Sequence, residues 1–261
     1  MADMLGLALR YDTARLVATL LCATRLAAAI SLTPVLAGVA MPTRLRAMLV
    51  LALAFCMAGW QGPLPAQPHD VFGLAGMMLA EVLFGAALAF GVFTAFGAFS
   101  LAGHLLDFQI GFNLGALFDP VTRRQSPVLA RLFDLFAVVA FFLADLHHML
   151  LRGFAATLEV VPLGTFRPMQ LSPTVLVEQL GSMFVYGLKL AAPVMVCLLL
   201  VELGMAVLSR NIPQLNVFVI SMPLKVLIGL SMLAFSLRYL GPVVAKSLNA
   251  MFPFWERVLA A

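Results

Sequence analysis

Arg210 to Lys225 reads RNIPQLNVFVISMPLK and lies between two long apolar segments. It places two cations, the amides Gln214 and Asn216, and two prolines, Pro213 and Pro223, inside a hydrophobic hairpin. Backbone that leaves a helix at membrane depth must satisfy its polar groups on protein or in a watery cavity. The stretch therefore predicts a polar turn in a polytopic membrane protein.

The composition agrees. The chain is 63% hydrophobic and 11% charged, with a mean hydropathy of +1.05. Soluble domains average about 45–50% apolar and about 25% charged. No water-soluble core hides this much apolar surface in 261 residues. The net charge of +4 is scattered, with only Arg123 and Arg124 adjacent, so no nucleic-acid stripe is present. Cys22, Cys56 and Cys197 all sit in apolar runs without a CxxC and read as small apolar fillers. The start carries Asp3, Asp12 and Arg25, a poor signal peptide, and is taken as the first structural helix.

Six apolar segments follow from the punctuation, at Thr13–Leu32, Arg46–Trp60, Val71–Leu106, Val128–Leu151, Thr174–Leu208 and Leu215–Leu240. A short amphipathic tail ends in MFPFWERVLAA. The predicted fold is an all-α membrane protein of about six long hydrophobic helices in successive hairpins, one domain over residues 1–261. A span needs about 20 residues, and the third and fifth segments are about half as long again, more than tilt absorbs. They are expected to pack mainly on other subunits, with a kink at Pro193 in the fifth. Ala87, Gly91 and Ala95, with Gly85, Gly97 and Gly103 nearby, offer the small-residue spacing that lets helix backbones approach. Ordinary membrane composition explains the same residues equally well.

Several charges lie in apolar surroundings, where an unpaired one costs at least about 2.5–3.5 kcal/mol. Glu81, Lys189 and Glu202 are expected to face inward in helix or subunit pairs; Arg15 and Arg238 are expected to snorkel. Asp145, His148 and Arg152 step by three and four along one predicted helix face and read as an interfacial polar cap. His147 and His148 would point about 100° apart on that helix, so no metal site is assigned. No HExxH, GxSxG, phosphate-binding loop or CxxCH is present, which argues against an enzyme or a cofactor.

A second unusual stretch is HLLDFQIGFNLGALFDPVTRRQSPVLAR, His104 to Arg131. It is too apolar for a solvated loop and too rich in glycine for a plain span. Two readings stay open: an amphipathic re-entrant helix, or a deformable apolar plug that seals a conduit by excluding water.

These two stretches resemble the FliR family of the flagellar export gate and the related T component of injectisome type III secretion. The residues that carry the resemblance are Phe118-Asp119-Pro120, then Pro127 to Arg131, and later Arg210, Pro213, Gln214, Asn216 and Phe218, followed by Pro223, Lys225 and Gly229. Their order, spacing and hydropathy cover nearly the whole chain. Ser221-Met222-Pro223-Leu224-Lys225 departs toward the injectisome form, so flagellum versus injectisome stays open.

The resemblance implies a single-copy pore subunit that assembles with FliP and FliQ, beside FlhB, into a helical, cone-shaped gate for unfolded secreted proteins. It implies the bacterial inner membrane at the basal body, with much of the complex raised toward the periplasm. It implies that Gly111, Phe112, Asn113, Leu114, Gly115, Leu117, Phe118, Asp119 and Pro120 form the plug. Arg210, Pro213, Gln214, Asn216, Phe218, Pro223 and Lys225 would lie at the cytoplasmic mouth against a partner. The weak bias of basic residues mildly agrees with that orientation. A small-solute secondary transporter is the competing class; it usually shows internal repeats, which are not evident here.

Overall fold

The computed structural model describes residues 2–33, 42–59, 70–112, 127–167, 171–212, 214 and 216–260, with backbone alone for 2–13, 217 and 218. The described residues contain helices and no strand. In chain order these are α1 (Ala2–Ser31), α2 (Thr43–Ala58), α3 (Val71–Ile110), α4 (Val128–Leu143), α5 (Leu146–Val160), α6 (Pro173–Asn211), α7 (Val217–Asn249) and α8 (Met251–Ala260).

Among the described residues four stretches are long and apolar enough to cross a membrane: Ala14–Ser31, Val71–Ile110, Pro173–Asn211 and Val219–Ala260. The 40 residues of α3 and the 39 of α6 each extend for about 60 Å at 1.5 Å per residue. That is about twice the hydrocarbon thickness. Pro193 lies inside α6, and Pro223 and Pro242 lie inside α7.

Two expectations are corrected. The predicted segment Val128–Leu151 is two helices, because Asp145 adopts a left-handed conformation at φ 52° and ends α4 without any proline or glycine. The polar turn predicted to run to Lys225 ends at Asn216, and α7 begins at Val217, so Pro223 and Lys225 are helical. Pro223 is the seventh residue of α7 and withholds the intrahelical bond that the Val219 carbonyl would receive, a loss that neighbouring protein can make good.

The chain forms two compact units. The first comprises residues 1–93, 144–179 and 251–261; the second comprises 94–143 and 180–250. In the first, α1 packs against α2 and α8 against α5. Its core holds Leu21, Leu26, Phe84, Leu88, Phe154, Leu163, Phe254 and Trp255. The Trp255 indole N–H donates to the Leu88 carbonyl at 2.9 Å, so the largest side chain of α8 is anchored at both its apolar and polar ends. In the second unit α4 packs against α7, around Phe96, Phe99, Leu106, Ile110, Phe133, Phe141, Leu190 and Leu198.

The most apolar part of α3 is mostly covered by the chain itself, whereas the corresponding parts of α6 and α7 are mostly uncovered. The centre of α3 is thus packed on its own chain, while Val71, Phe72 and Leu79 near its start and Phe108 near its end stay exposed, and the expected packing on other subunits is left to those ends. Exposed Leu199, Leu200, Leu203, Val207, Leu227 and Phe235 on α6 and α7 leave apolar surface for lipid or partners.

The glycines of α3 explain how it is covered. Gly85, Gly91, Gly97 and Gly103 recur every six residues, which turns each about 240° from the last. They form separate notches around the helix rather than one stripe. Gly85 admits the α1 backbone at Arg25, Gly91 admits Phe254, Gly97 admits Met183 and Gly103 admits the α4 backbone at Ala130.

Candidate functional site

Four sets of polar residues stand out in these apolar surroundings. The first is a closed ion pair in the first unit. Arg25 on α1 and Glu81 on α3 are both fully buried. Arg25 donates to Glu81 through Nε at 2.5 Å and Nη2 at 3.1 Å, a two-pronged pairing that suits the planar guanidinium. Its remaining donors go to the carbonyls of Val161 at 3.1 Å and Thr157 at 3.3 Å, at the C-terminal end of α5. Glu81 Oε1 also accepts the Gly164 N–H at 2.7 Å, and the Phe84 ring lies 4.6 Å from the guanidinium carbon. Carbonyls left over at a helix end attract a cation, so the pair knits α1, α3 and the end of α5 together.

The second set joins α6 to α7. Lys225 Nζ donates to Glu202 Oε1 at 2.5 Å, with both side chains partly exposed. Lys189 is exposed instead, its ammonium 5.4 Å from the Tyr186 ring. Among the described residues of this chain Lys189 therefore makes no helix pair, and the expected pairing is left to a partner subunit. Lys189 sits on the same uncovered surface of α6 as Leu188, and a flexible stem lets its head leave the apolar surroundings.

The third set is the turn between α6 and α7. Asn211 caps its own helix end by donating from Nδ2 to the Val207 carbonyl at 3.0 Å, and the Ile212 N–H reaches the Leu208 carbonyl at 3.0 Å. Arg210, Gln214 and Asn216 are exposed, and Asn216 opens α7 without a side-chain cap. The turn's amides are thus presented outward. Pro213 lies outside the described residues, and Phe218 is described by its backbone alone.

The fourth set bounds the glycine-rich connection. α3 closes at Ile110, where the Gly111 N–H donates to the Asp107 carbonyl at 3.1 Å and Gly111 takes φ 96°. Gly111 and Phe112 are half-buried. Asn113, Leu114, Gly115, Leu117, Phe118, Asp119 and Pro120 lie outside the described residues. The buried carboxyl of Asp107 accepts the Leu129 N–H and the Ala130 N–H, each at 2.9 Å. In the sequence Asp107 lies unremarked within the glycine-rich stretch His104 to Arg131. Its signal was a carboxylate one turn before a glycine in an otherwise apolar helix.

Asp145, His147 and His148 depart from the expected geometry. His147 and His148 are consecutive within α5, and their side chains nevertheless bring the two imidazole centroids to 4.0 Å. Asp145 is the N-cap residue of α5, and its carboxyl lies 3.7 Å from His148 Nδ1, three residues on. The three residues each offer a ligand atom within 4.8 Å of one another at an exposed helix start.

Taken as an arrangement, these sets can hold helices in register and mark turns and a connection. The chain's matches to known proteins point the same way. The model of the bacterial export proteins, family 1, matches residues 16–251. The chain belongs to that family. It is 31% identical to the flagellar biosynthetic protein FliR of Escherichia coli K12 over 87% of each chain. It is 28% identical to FliR of Bacillus subtilis over 70% of this chain and 73% of that one. The secretion system apparatus protein SsaT of Salmonella typhimurium is 28% identical over 63% of this chain and 64% of its own. The region shared with the export protein family includes the Arg25–Glu81 pair, Asp107 and the turn after α6.

Proposed function

We propose that this chain is a pore subunit of the flagellar type III protein export gate, assembled with FliP and FliQ beside FlhB in the bacterial inner membrane. The observation that carries the reading is the family match across residues 16–251, together with the uncovered apolar spans of α6 and α7, which require company. The length of α3 and α6 suits an assembly that rises above the bilayer on its periplasmic side. A small-solute transporter remains the alternative class. The broken stretches here supply apolar groups and backbone amides instead of a convergent set of ligand-binding side chains. The reading assigns no catalytic residue and no cofactor.

The flagellar assignment is preferred to the injectisome one because the FliR relatives of E. coli and Caulobacter vibrioides match 87% and 82% of this chain. SsaT and SpaR match 63% and 59%. The form Ser221-Met222-Pro223 is the one feature that leans the other way. Purification of a tagged copy, with mass spectrometry of what accompanies it, tests the assignment. FliP and FliQ homologues at a mass far above 28.1 kDa are expected; a lone monomer or homodimer with saturable solute uptake defeats it.

In this reading the turn after α6 lies at the cytoplasmic mouth and meets a partner through Gln214 and Asn216. Gln214→Ala and Asn216→Ala are expected to reduce partner recovery severalfold while the chain still inserts. Equal recovery removes the contact, and cysteine labelling of the turn from the periplasm reverses the orientation.

Gly111 to Pro120 are assigned to an apolar plug. Glycines let such a segment deform, and bulky apolar groups make a wet gap costly without offering passing chains a strong site. Replacing Phe112 and Phe118 by Ser is expected to leak potassium severalfold faster while export persists in part. Unchanged permeability in an assembled variant leaves the segment as a structural connection.

A further inference from the structure

Asp145, His147 and His148 gather three metal-binding groups where α4 gives way to α5, all three within the first unit. Asp145 holds the N-cap place of α5, and a carboxylate there ordinarily accepts an amide of the first turn. Asp145 makes no such bond. Its carboxyl faces His148 instead, with Oδ1 3.7 Å from Nδ1. That is too long for a hydrogen bond. It is close to the edge of a tetrahedron of zinc ligands, about 3.3–3.4 Å for bonds of about 2.0–2.1 Å. His147 is half-buried beside His148, with their ring centroids 4.0 Å apart. One ligand atom from each of the three residues lies within 4.8 Å of the other two. Modest rotations about the side-chain bonds bring all three onto one ion. Asp145 and His148 are exposed, so an ion and its water can enter.

The geometry points to a transition-metal site at Asp145, His147 and His148, one that takes zinc or a similar divalent ion. Two imidazoles select zinc, nickel or copper over magnesium and calcium, which prefer oxygen ligands. Three protein ligands leave a fourth position to water. The carboxylate is essential to the set, because the amide ends at the start of a helix carry partial positive charge and disfavour a cation. A bound ion would tie the N-cap residue to the second and third residues of α5 and so fix the break between α4 and α5. The site does not depend on the export-gate reading. An exposed aspartate–histidine ion pair, which contributes little to stability, accounts for Asp145 and His148 without a metal. It gives His147 no part, and that difference supplies the test.

The full chain is purified in detergent, with the subunits that accompany it and a tag free of histidine, and is stripped with a chelator. Zinc binding is measured by equilibrium dialysis, and the visible absorption of added cobalt reports the coordination. Zinc is expected to bind at micromolar concentration, and cobalt to give the strong bands of a four-coordinate site. Asp145→Asn, His147→Ala and His148→Ala are each expected to weaken zinc binding by at least about tenfold, since loss of a group that only supports a ligand already costs that much. Millimolar magnesium is expected not to compete, and effective competition by it overturns the assignment to imidazole ligands. Zinc held at full affinity by all three variants is bound elsewhere and overturns the site, as does a parent protein that binds none. Loss in Asp145→Asn and His148→Ala with full affinity in His147→Ala reduces the cluster to the surface pair and also overturns it. Equal unfolding temperatures of the stripped parent and stripped variants show that only the ion is lost. Should His147→Ala not fold, His147→Gln keeps most of the volume of the ring, and full zinc affinity in that variant overturns the proposal.

Discussion

Arg25→Ala is expected to destabilise the protein by about 3–5 kcal/mol, because it leaves Glu81 as an uncompensated charge in a buried site. Both side chains are 0% exposed, so water cannot replace the lost partner without opening the first unit. Glu81→Ala is expected to cost a similar amount for the opposite charge. Arg25→Lys is not conservative here. A single ammonium cannot replace the forked contacts to Glu81 and also reach the Val161 and Thr157 carbonyls. The decisive comparison is the double variant Arg25→Met, Glu81→Leu. It removes both charges and leaves only the Gly164 amide and the end of α5 without partners, a loss of about 1–3 kcal/mol per group. The double variant is therefore expected to be more stable than Arg25→Ala alone. Thermal unfolding of the detergent-solubilised protein and its steady-state level in membranes provide the measurement. A double variant as unstable as the single ones would mean that packing, rather than stranded charge, dominates the site.

The second large effect concerns the notches of α3, and here the order of severity is the prediction. Alanine is favoured over glycine in a helix by about 1 kcal/mol, so glycine-to-alanine changes should stabilise wherever space exists. Gly76 has open space around it and is expected to follow that rule in the isolated subunit. At Gly85 a Cβ would collide with the Arg25 carbonyl oxygen and lie 2.9 Å from Ala28 Cβ. At Gly103 it would lie 2.7 Å from the Ala130 nitrogen and 2.9 Å from the Leu129 oxygen. Backbone cannot step aside as a side chain can, so α1 or α4 must move off α3. Gly85→Ala and Gly103→Ala are therefore expected to destabilise by about 1–3 kcal/mol, the usual cost of overpacking. At Gly97 the obstacle is the Met183 sulfur at 2.7 Å, the end of a flexible side chain. Gly97→Ala is expected to fall between the two. Thermal unfolding of the four variants tests the ranking; a Gly85→Ala protein as stable as Gly76→Ala would refute it.

The helical class and the long apolar elements were legible in the sequence because proline, glycine and polar clusters mark most ends. The start of α3 after Asp70, the start of α6 at Pro173 and the Gly111 terminus all carry such marks. The break at Asp145 carries none. Its sequence, LADLHHML, looks like continuous helix, and the break uses the tolerance of an exposed aspartate for the left-handed conformation, which leaves no mark in the pattern. Pro223 misled in the opposite direction, since it stands inside α7, as proline does in membrane helices whose freed carbonyl finds another partner. The charges were harder still. Arg25 and Glu81 stand 56 residues apart, and no periodicity within either helix reports which distant partner each will find. Glu202 and Lys225 were each singled out, yet their pairing appeared only once α7 was seen to begin before Pro223. Asp107 was invisible as a cap because the helix it caps begins more than 20 residues later.

The interleaving of the first unit has a consequence for how the protein is made. Residues 1–93 and 144–179 leave the ribosome well before 251–261, yet all three stretches build one unit. Until α8 arrives, the Leu88 carbonyl lacks its indole donor and the space beside Gly153 lacks the Trp255 ring. At about 5–20 residues per second, the 90 residues from Val161 to Met251 take on the order of ten seconds to translate. Throughout that interval the nascent chain lies in the membrane with an open slot beside α3. The slot can be shielded meanwhile by lipid or an insertion factor, and translation of α8 becomes the step that closes the first unit.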